Sequence, residues 1–106
     1  MPESEYAKIL SSQSNVAVVQ LPSRHYPGSV VQGDSLMSLL SDTLDVLEEL
    51  KGQPESEAFH AAFSVAERLE ERLQHYIAIC EANGIEWTFK LKRRTEDYAS
   101  LIDLGD

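Results

Sequence analysis

The run GDSLMSLLSDTLDVLEELK, residues 33–51, decides the architecture. Placed at about 100° per residue, Leu36, Met37, Leu39, Leu40, Leu44, Val46, Leu47 and Leu50 fall on one side. Ser38, Ser41, Asp42, Asp45, Glu48 and Glu49 fall on the other. Such a pattern is an amphipathic helix with one face for a core and one for water. Asp34 or Ser35 stands where an N-cap belongs, just before the periodic leucines. Gly52 supplies the stop and Pro54 opens the next element.

Downstream, a second helix is expected over about 55–82, closed by Gly84. Ala58, Ala62, Phe63, Ala66, Leu69, Leu73, Tyr76, Ile77 and Cys80 would share its buried face. After Gly84, Ile85, Trp87, Phe89 and Leu91 alternate with Glu86, Thr88, Lys90 and Lys92, the strongest strand signal in the chain. Upstream, residues 5–10 and 16–21 are short β-prone segments separated by polar Ser11 to Asn15, which reads as a hairpin. Pro22 ends the second strand, because proline cannot donate to a ladder. Tyr26-Pro27-Gly28-Ser29 fits a type II turn with positive φ at Gly28, leading to a third strand over 29–32. The order β-β-β-α-α-β is an α+β fold: a two-layer sandwich, a mostly antiparallel sheet with two helices on one face. Residues 1–91 would form one domain. Residues 92–106 would be a charged tail, either loose or docked through Tyr98, Leu101, Ile102 and Leu104.

Composition bounds the function. The 106 residues suffice for one core without staples. No apolar run approaches the roughly 20 residues that cross a bilayer, and the acidic N-terminus does not read as a signal peptide. The single cysteine, Cys80, cannot form an internal disulfide, so the expected compartment is a reducing cytoplasm. Eighteen acidic residues against nine basic ones give a net charge of −9. That balance disfavours nucleic acid and anionic membrane and favours basic partners. It also simply keeps a small protein soluble.

The letters G-D-S-L are shared with a family of serine esterases. A serine nucleophile needs a base, a carboxylate to orient it and oxyanion donors. Those esterases take their base from an Asp-x-x-His that this chain lacks, so Ser35 is expected to open a helix and not to catalyse. Glu57-x-x-His60 has di-iron spacing but occurs once where that chemistry needs two. His60 and His75 are about 22 Å apart by helical rise, too far to share an ion. No metal and no cofactor are expected. Cys80 reads as a core residue. Lys90, Lys92, Arg93 and Arg94 read as a strand-edge guard or an anchor for the acidic tail. The loop Arg24-His25-Tyr26-Pro27-Gly28 carries side chains suited to recognition; alternatively, Arg24 pairs with Asp34 to fix the helix entrance.

The string LPSRHYPGSVVQGDSL, residues 21–36, resembles the signature of a small bacterial family of unknown function, with L-P-x-R-x-[FY]-P-G followed by Q-G-D-S-L. The resemblance covers about residues 5–90. By size, charge and class the chain also resembles immunity proteins that neutralise bacterial toxins. The expectation is therefore a non-enzymatic acidic binding protein that blocks a basic toxin domain, itself a monomer or weak homodimer. The expected contacts are Asp42, Asp45, Glu48 and Glu49 on the first helix and the loop from Arg24 to Tyr26. The alternative is a small-anion site built from Arg24, Gln32 and the helix N-terminus at Asp34.

Overall fold

The computed structural model describes residues 6–13 and 16–104. It contains strands β1 (Lys8–Ser11), β2 (Val18–Gln20) and β3 (Gly28–Ser29), then helices α1 (Gly33–Leu50), α2 (Glu57–Ala82) and α3 (Glu96–Leu104). The chain is thus a small α+β protein. It divides into two compact units, Met1–Gln32 and Gly33–Asp106.

In the first unit the sheet order is β1-β2-β3, antiparallel throughout. Ile9 faces Val19 and Ser11 faces Val18, so Leu10 is the extra residue of a bulge. The expected hairpin is present, although Glu5, Ser14 and Asn15 lie outside the described residues. The turn after β2 corrects the expectation at Gly28. Among the described residues the positive-φ glycine is Gly84, whereas Gly28 lies in β3 opposite Val19. The reversal sits earlier, where the Arg24 N–H reaches the Leu21 carbonyl at 3.3 Å with Pro22 at the second position. The Gln20 amide donates to the Arg24 carbonyl at 2.6 Å and braces the turn. β3 is also shorter than the expected 29–32: after Ser29, the Val30 N–H still reaches Ala17, and the ladder ends.

In the second unit α1 starts at Gly33, before the expected cap. Ser35 therefore lies inside the first turn, and its N–H donates to the Asp34 carboxylate at 2.8 Å. The connection 51–56 is short, and Gly33 at the start of α1 lies against the Tyr76 ring near the end of α2, so the helices run antiparallel. Ser56 caps α2 by accepting from the Phe59 N–H at 3.1 Å. At the other end, Ile85 N–H bonds Cys80 C=O and Gly84 N–H bonds Glu81 C=O, with Gly84 at φ 72°. This is a Schellman stop, and it requires a residue tolerant of the left-handed region.

The core lies between the helices: Leu36, Leu40, Leu44 and Leu47 of α1 against Phe59, Phe63, Ala66 and Leu73 of α2, with Tyr98 of α3. Leu39 and Val46, expected inside, are half exposed, because one neighbouring helix needs only a narrow stripe. Ala58 is exposed and Phe59 is fully buried. The α2 seam runs through 59, 63, 66, 70, 73, 77 and 80, alternating steps of four and three.

The expected fourth strand is not formed: residues 85–91 carry no regular structure. The tail beyond Lys92 instead becomes α3. Asp97 accepts from the Arg94 N–H at 2.9 Å, the reach-back half of a capping box. Tyr98 is 3% exposed, so α3 is docked into the core.

Candidate functional site

The segment after α2 folds back along that helix through its aromatic residues. Trp87 meets Tyr76 edge-on at 5.4 Å, and Phe89 lies 5.1 Å from Trp87. Between this segment and the helices is an open cleft of about 360 Å³. Met37, Leu73, Ile77 and Trp87 give it apolar lining, and Glu70, Lys90 and Arg94 give it polar and charged lining. The volume falls at the small end of ligand sites.

Glu70 occupies a seam position of α2 where a leucine would be ordinary, and keeps 8% of its surface exposed. A buried carboxylate requires partners. The Thr95 hydroxyl donates to Oε1, while the Arg94 guanidinium (2.8 Å) and the Thr95 N–H (3.4 Å) donate to Oε2. Burial pushes the Glu70 carboxyl up, but the bonds from Thr95 and Arg94 outweigh it and leave the group below its ordinary range. The arrangement also sets a negative charge at the N-terminus of α3, where the helix dipole favours it.

A second cluster ties α3 to α1. Arg93 pairs with Asp45 and approaches Glu48 at 3.8 Å, Lys51 pairs with Glu48 at 2.6 Å, and the Tyr98 hydroxyl donates to Glu48 at 2.8 Å. The bonds from Lys51 and then Tyr98 hold the Glu48 carboxyl low. Burial, reinforced by the Glu48 carboxylate, pushes the Tyr98 phenol up to about 12. Arg93 and Arg94 therefore clamp the loop before α3 onto α1 and α2, with no strand edge to guard.

The four acids expected to form one solvent face are divided by this cluster. Asp42 and Glu49 are exposed and enter no ion pair among the described residues, whereas Asp45 and Glu48 are engaged. Arg24 and Gln32 are exposed, as is Tyr26 at 79%, with its ring edge-on to His25 at 4.7 Å. Asp34 is exposed. The Ser35 hydroxyl enters no hydrogen bond among the described residues, neither as a cap nor with a base. His60 and His75 are exposed on α2, and Cys80 is buried. Among the described residues no three His, Cys, Asp or Glu side chains are grouped to hold a metal ion. Among the described residues no helix is long and apolar enough to cross a membrane.

The residues that sequence reading missed are Glu70, Thr95 and Ser56. Glu70 left a usable trace: it falls on the four-three spacing of the α2 seam, which marks a charge that needs partners. Thr95 left none.

No curated protein and no solved structure matches the chain. One family profile does match, over residues 2–89, and ends before Arg93, Arg94, Thr95 and Tyr98. Its extent agrees with the expected resemblance to a family of unknown function over about 5–90. The chain belongs to that family, described as a family of unknown function, DUF6959.

Proposed function

We propose that the protein is a non-enzymatic binding module that engages a basic protein partner through the helical unit. One observation carries the reading: the charge is segregated. Residues 1–32 hold two acids and two bases, so the whole excess of −9 belongs to residues 33–106. Asp42 and Glu49, seven residues apart, share one side of α1 and have no intramolecular ion pair among the described residues. Such a field speeds encounter with a basic surface and penalises acidic competitors. The finer form of the proposal is an immunity protein whose partner is a basic toxin domain. Its support is size, charge and class.

The experiment is co-expression with a basic toxin-like domain, sought first among the genes neighbouring this one, followed by association kinetics at two ionic strengths. Asp42→Asn with Glu49→Gln should leave the fold intact, slow association and flatten its salt dependence. Unchanged rates would remove this face from the binding surface, and failure to protect the host from the toxin domain would remove the immunity role.

The cleft beside Trp87 favours a second reading, a site for a small amphipathic anion with its charge at Lys90. A change of Trp87 fluorescence on titration with an aliphatic carboxylate would favour the cleft over the acidic face.

A further inference from the structure

Ile85-Glu86-Trp87-Thr88-Phe89-Lys90-Leu91 has the pattern of a strand and, among the described residues, pairs with none. The Ile85 N–H is held by Cys80, and beyond it no backbone–backbone hydrogen bond among the described residues involves residues 86–93. Backbone donors and acceptors must be met by protein or water, so this stretch presents a row of groups open to pairing. Its side chains are already sorted for a sheet. Trp87 and Leu91 pack against the core, and Phe89 joins the Trp87 ring. Ile85 and Phe89 leave 56% and 52% of their surfaces exposed. Glu86, Thr88 and Lys90 are exposed, and neither Glu86 nor Lys90 forms an ion pair among the described residues.

The seven residues are complementary to themselves. We infer that residues 85–91 form a dimerisation edge, at which two copies of the chain pair antiparallel about a two-fold axis at Thr88. In that register Ile85 faces Leu91 of the second copy, Glu86 faces Lys90, Trp87 faces Phe89 and Thr88 faces Thr88. Each pair is of a kind that stabilises adjacent strands: aliphatic, oppositely charged, aromatic and hydroxyl. The symmetry applies every pair twice, as an isologous interface requires. Edge strands that avoid self-pairing carry like charges, which would meet across the axis and repel. Here the charges two residues either side of the centre are opposite, so the same geometry attracts. Sliding the axis to Trp87 sets Glu86 against Thr88 and loses both charge pairs. The exposed Ile85 and Phe89 would be covered by Leu91 and Trp87 of the second copy. A different protein as occupant would have no reason to find this internal symmetry.

The test is sedimentation of the full chain over a wide concentration range, with hydrogen exchange read at residues 86–90. The wild type should pass from one chain to two as concentration rises, and the 86–90 amides should gain protection in parallel. Glu86→Lys and Lys90→Glu should each weaken the dimer by about tenfold or more, since two attractive pairs become repulsive. The double variant Glu86→Lys/Lys90→Glu should recover wild-type association, as should an equimolar mixture of the two single variants. Of Thr88→Pro and Phe89→Pro, with helical content unchanged, at least one should be monomeric, because consecutive N–H groups point to opposite sides of a strand and proline removes a ladder donor where its N–H would face the second copy. A wild type that stays monomeric overturns the inference. Protection at 86–90 at every concentration would then indicate pairing within the chain, and its absence a different occupant or none. A dimer indifferent to the charge exchanges overturns the inference as well.

Discussion

Replacing Glu70 tests whether the docking of α3 rests on one buried carboxylate. Glu70→Ala leaves the Thr95 hydroxyl and the Thr95 N–H without their acceptor, in a residue only 8% exposed. A buried donor left unpaired costs about 1–3 kcal/mol, and water entering the shortened side chain's space recovers part of it. The Arg94 side chain is 46% exposed and rehydrates, so its loss adds little. The expected destabilisation is about 2–4 kcal/mol. Glu70→Gln keeps an acceptor for Thr95 and loses the charge, which should cost about 1 kcal/mol. The informative variant is Glu70→Leu with Thr95→Val. It restores an apolar residue to the α2 seam and removes the hydroxyl donor together with its acceptor, leaving only the residue 95 N–H unpaired, so it should be more stable than Glu70→Ala by about 1–2 kcal/mol. Urea unfolding followed by Trp87 fluorescence reads all of these, because Trp87 is the one tryptophan and belongs to the helical unit. A loss below about 0.5 kcal/mol for Glu70→Ala would refute the reasoning, which rests on the cost of unpaired buried donors. So would a Glu70→Leu/Thr95→Val variant no more stable than Glu70→Ala.

Two further outcomes follow from contacts elsewhere in the helical unit as well. The carboxyls of Glu70 and Glu48 lie below their ordinary value of 4.5, so the unfolded chain binds more protons than the folded one in acid. Their stabilisation is complete above that value and is lost as pH falls below it. Tyr98 has the opposite sense: its phenol is raised from 10.0 to about 12, so its contribution is complete below pH 10 and declines between those two values. Urea midpoints across both windows should show an acid limb that shrinks in Glu70→Gln and an alkaline limb that shrinks in Tyr98→Phe, the raised Tyr76 phenol supplying part of what remains; limbs unchanged by those substitutions would exclude these groups as the cause. Gly33→Ala should destabilise by about 1–3 kcal/mol even though alanine is the better helix former, as a Cβ there would run into the Tyr76 ring. Thermal melting checks it, and a melting point equal to wild type would mean that Tyr76 moves aside freely.

What the sequence made legible was local. The period of α1 and the bounds of both long helices follow from residues within a few positions of one another, and those bounds were readable to within two residues, although the cap at Ser56 was not. The side-chain stripe was read too broadly, because periodicity does not say how many neighbours a helix has. On α2 a single angular count favoured Ala58 over Phe59; over 26 residues the seam follows a repeat nearer 3.5 residues, and the two counts drift apart. The 85–91 alternation was real as a division of faces, yet a strand also needs a partner, and no local pattern supplies one. The Pro27-Gly28 pair satisfied the composition of a type II turn, but the chain had already reversed at Pro22, leaving Gly28 free to pair with Val19.

The acidic face of α1 shows why site residues were harder to read than the helix that carries them. Asp42, Asp45, Glu48 and Glu49 lie on the non-leucine side, and on helical geometry alone nothing separates them. They are separated by Arg93 and Tyr98, which arrive from 48 and 50 positions away along the chain. That distance is invisible to any window of sequence, although the Arg93-Arg94 pair already marked cations in want of acids. The division changes what a charge-removal experiment means. Removing all four acids would strip Arg93 of its partner and the Tyr98 hydroxyl of its acceptor, so weaker binding could come from a loosened α3 alone. Asp42 and Glu49 carry no such contact among the described residues. Only a variant confined to that pair tests the surface without disturbing the fold beneath it, with Asp45→Asn as the control that disturbs the clamp and leaves the exposed acids in place.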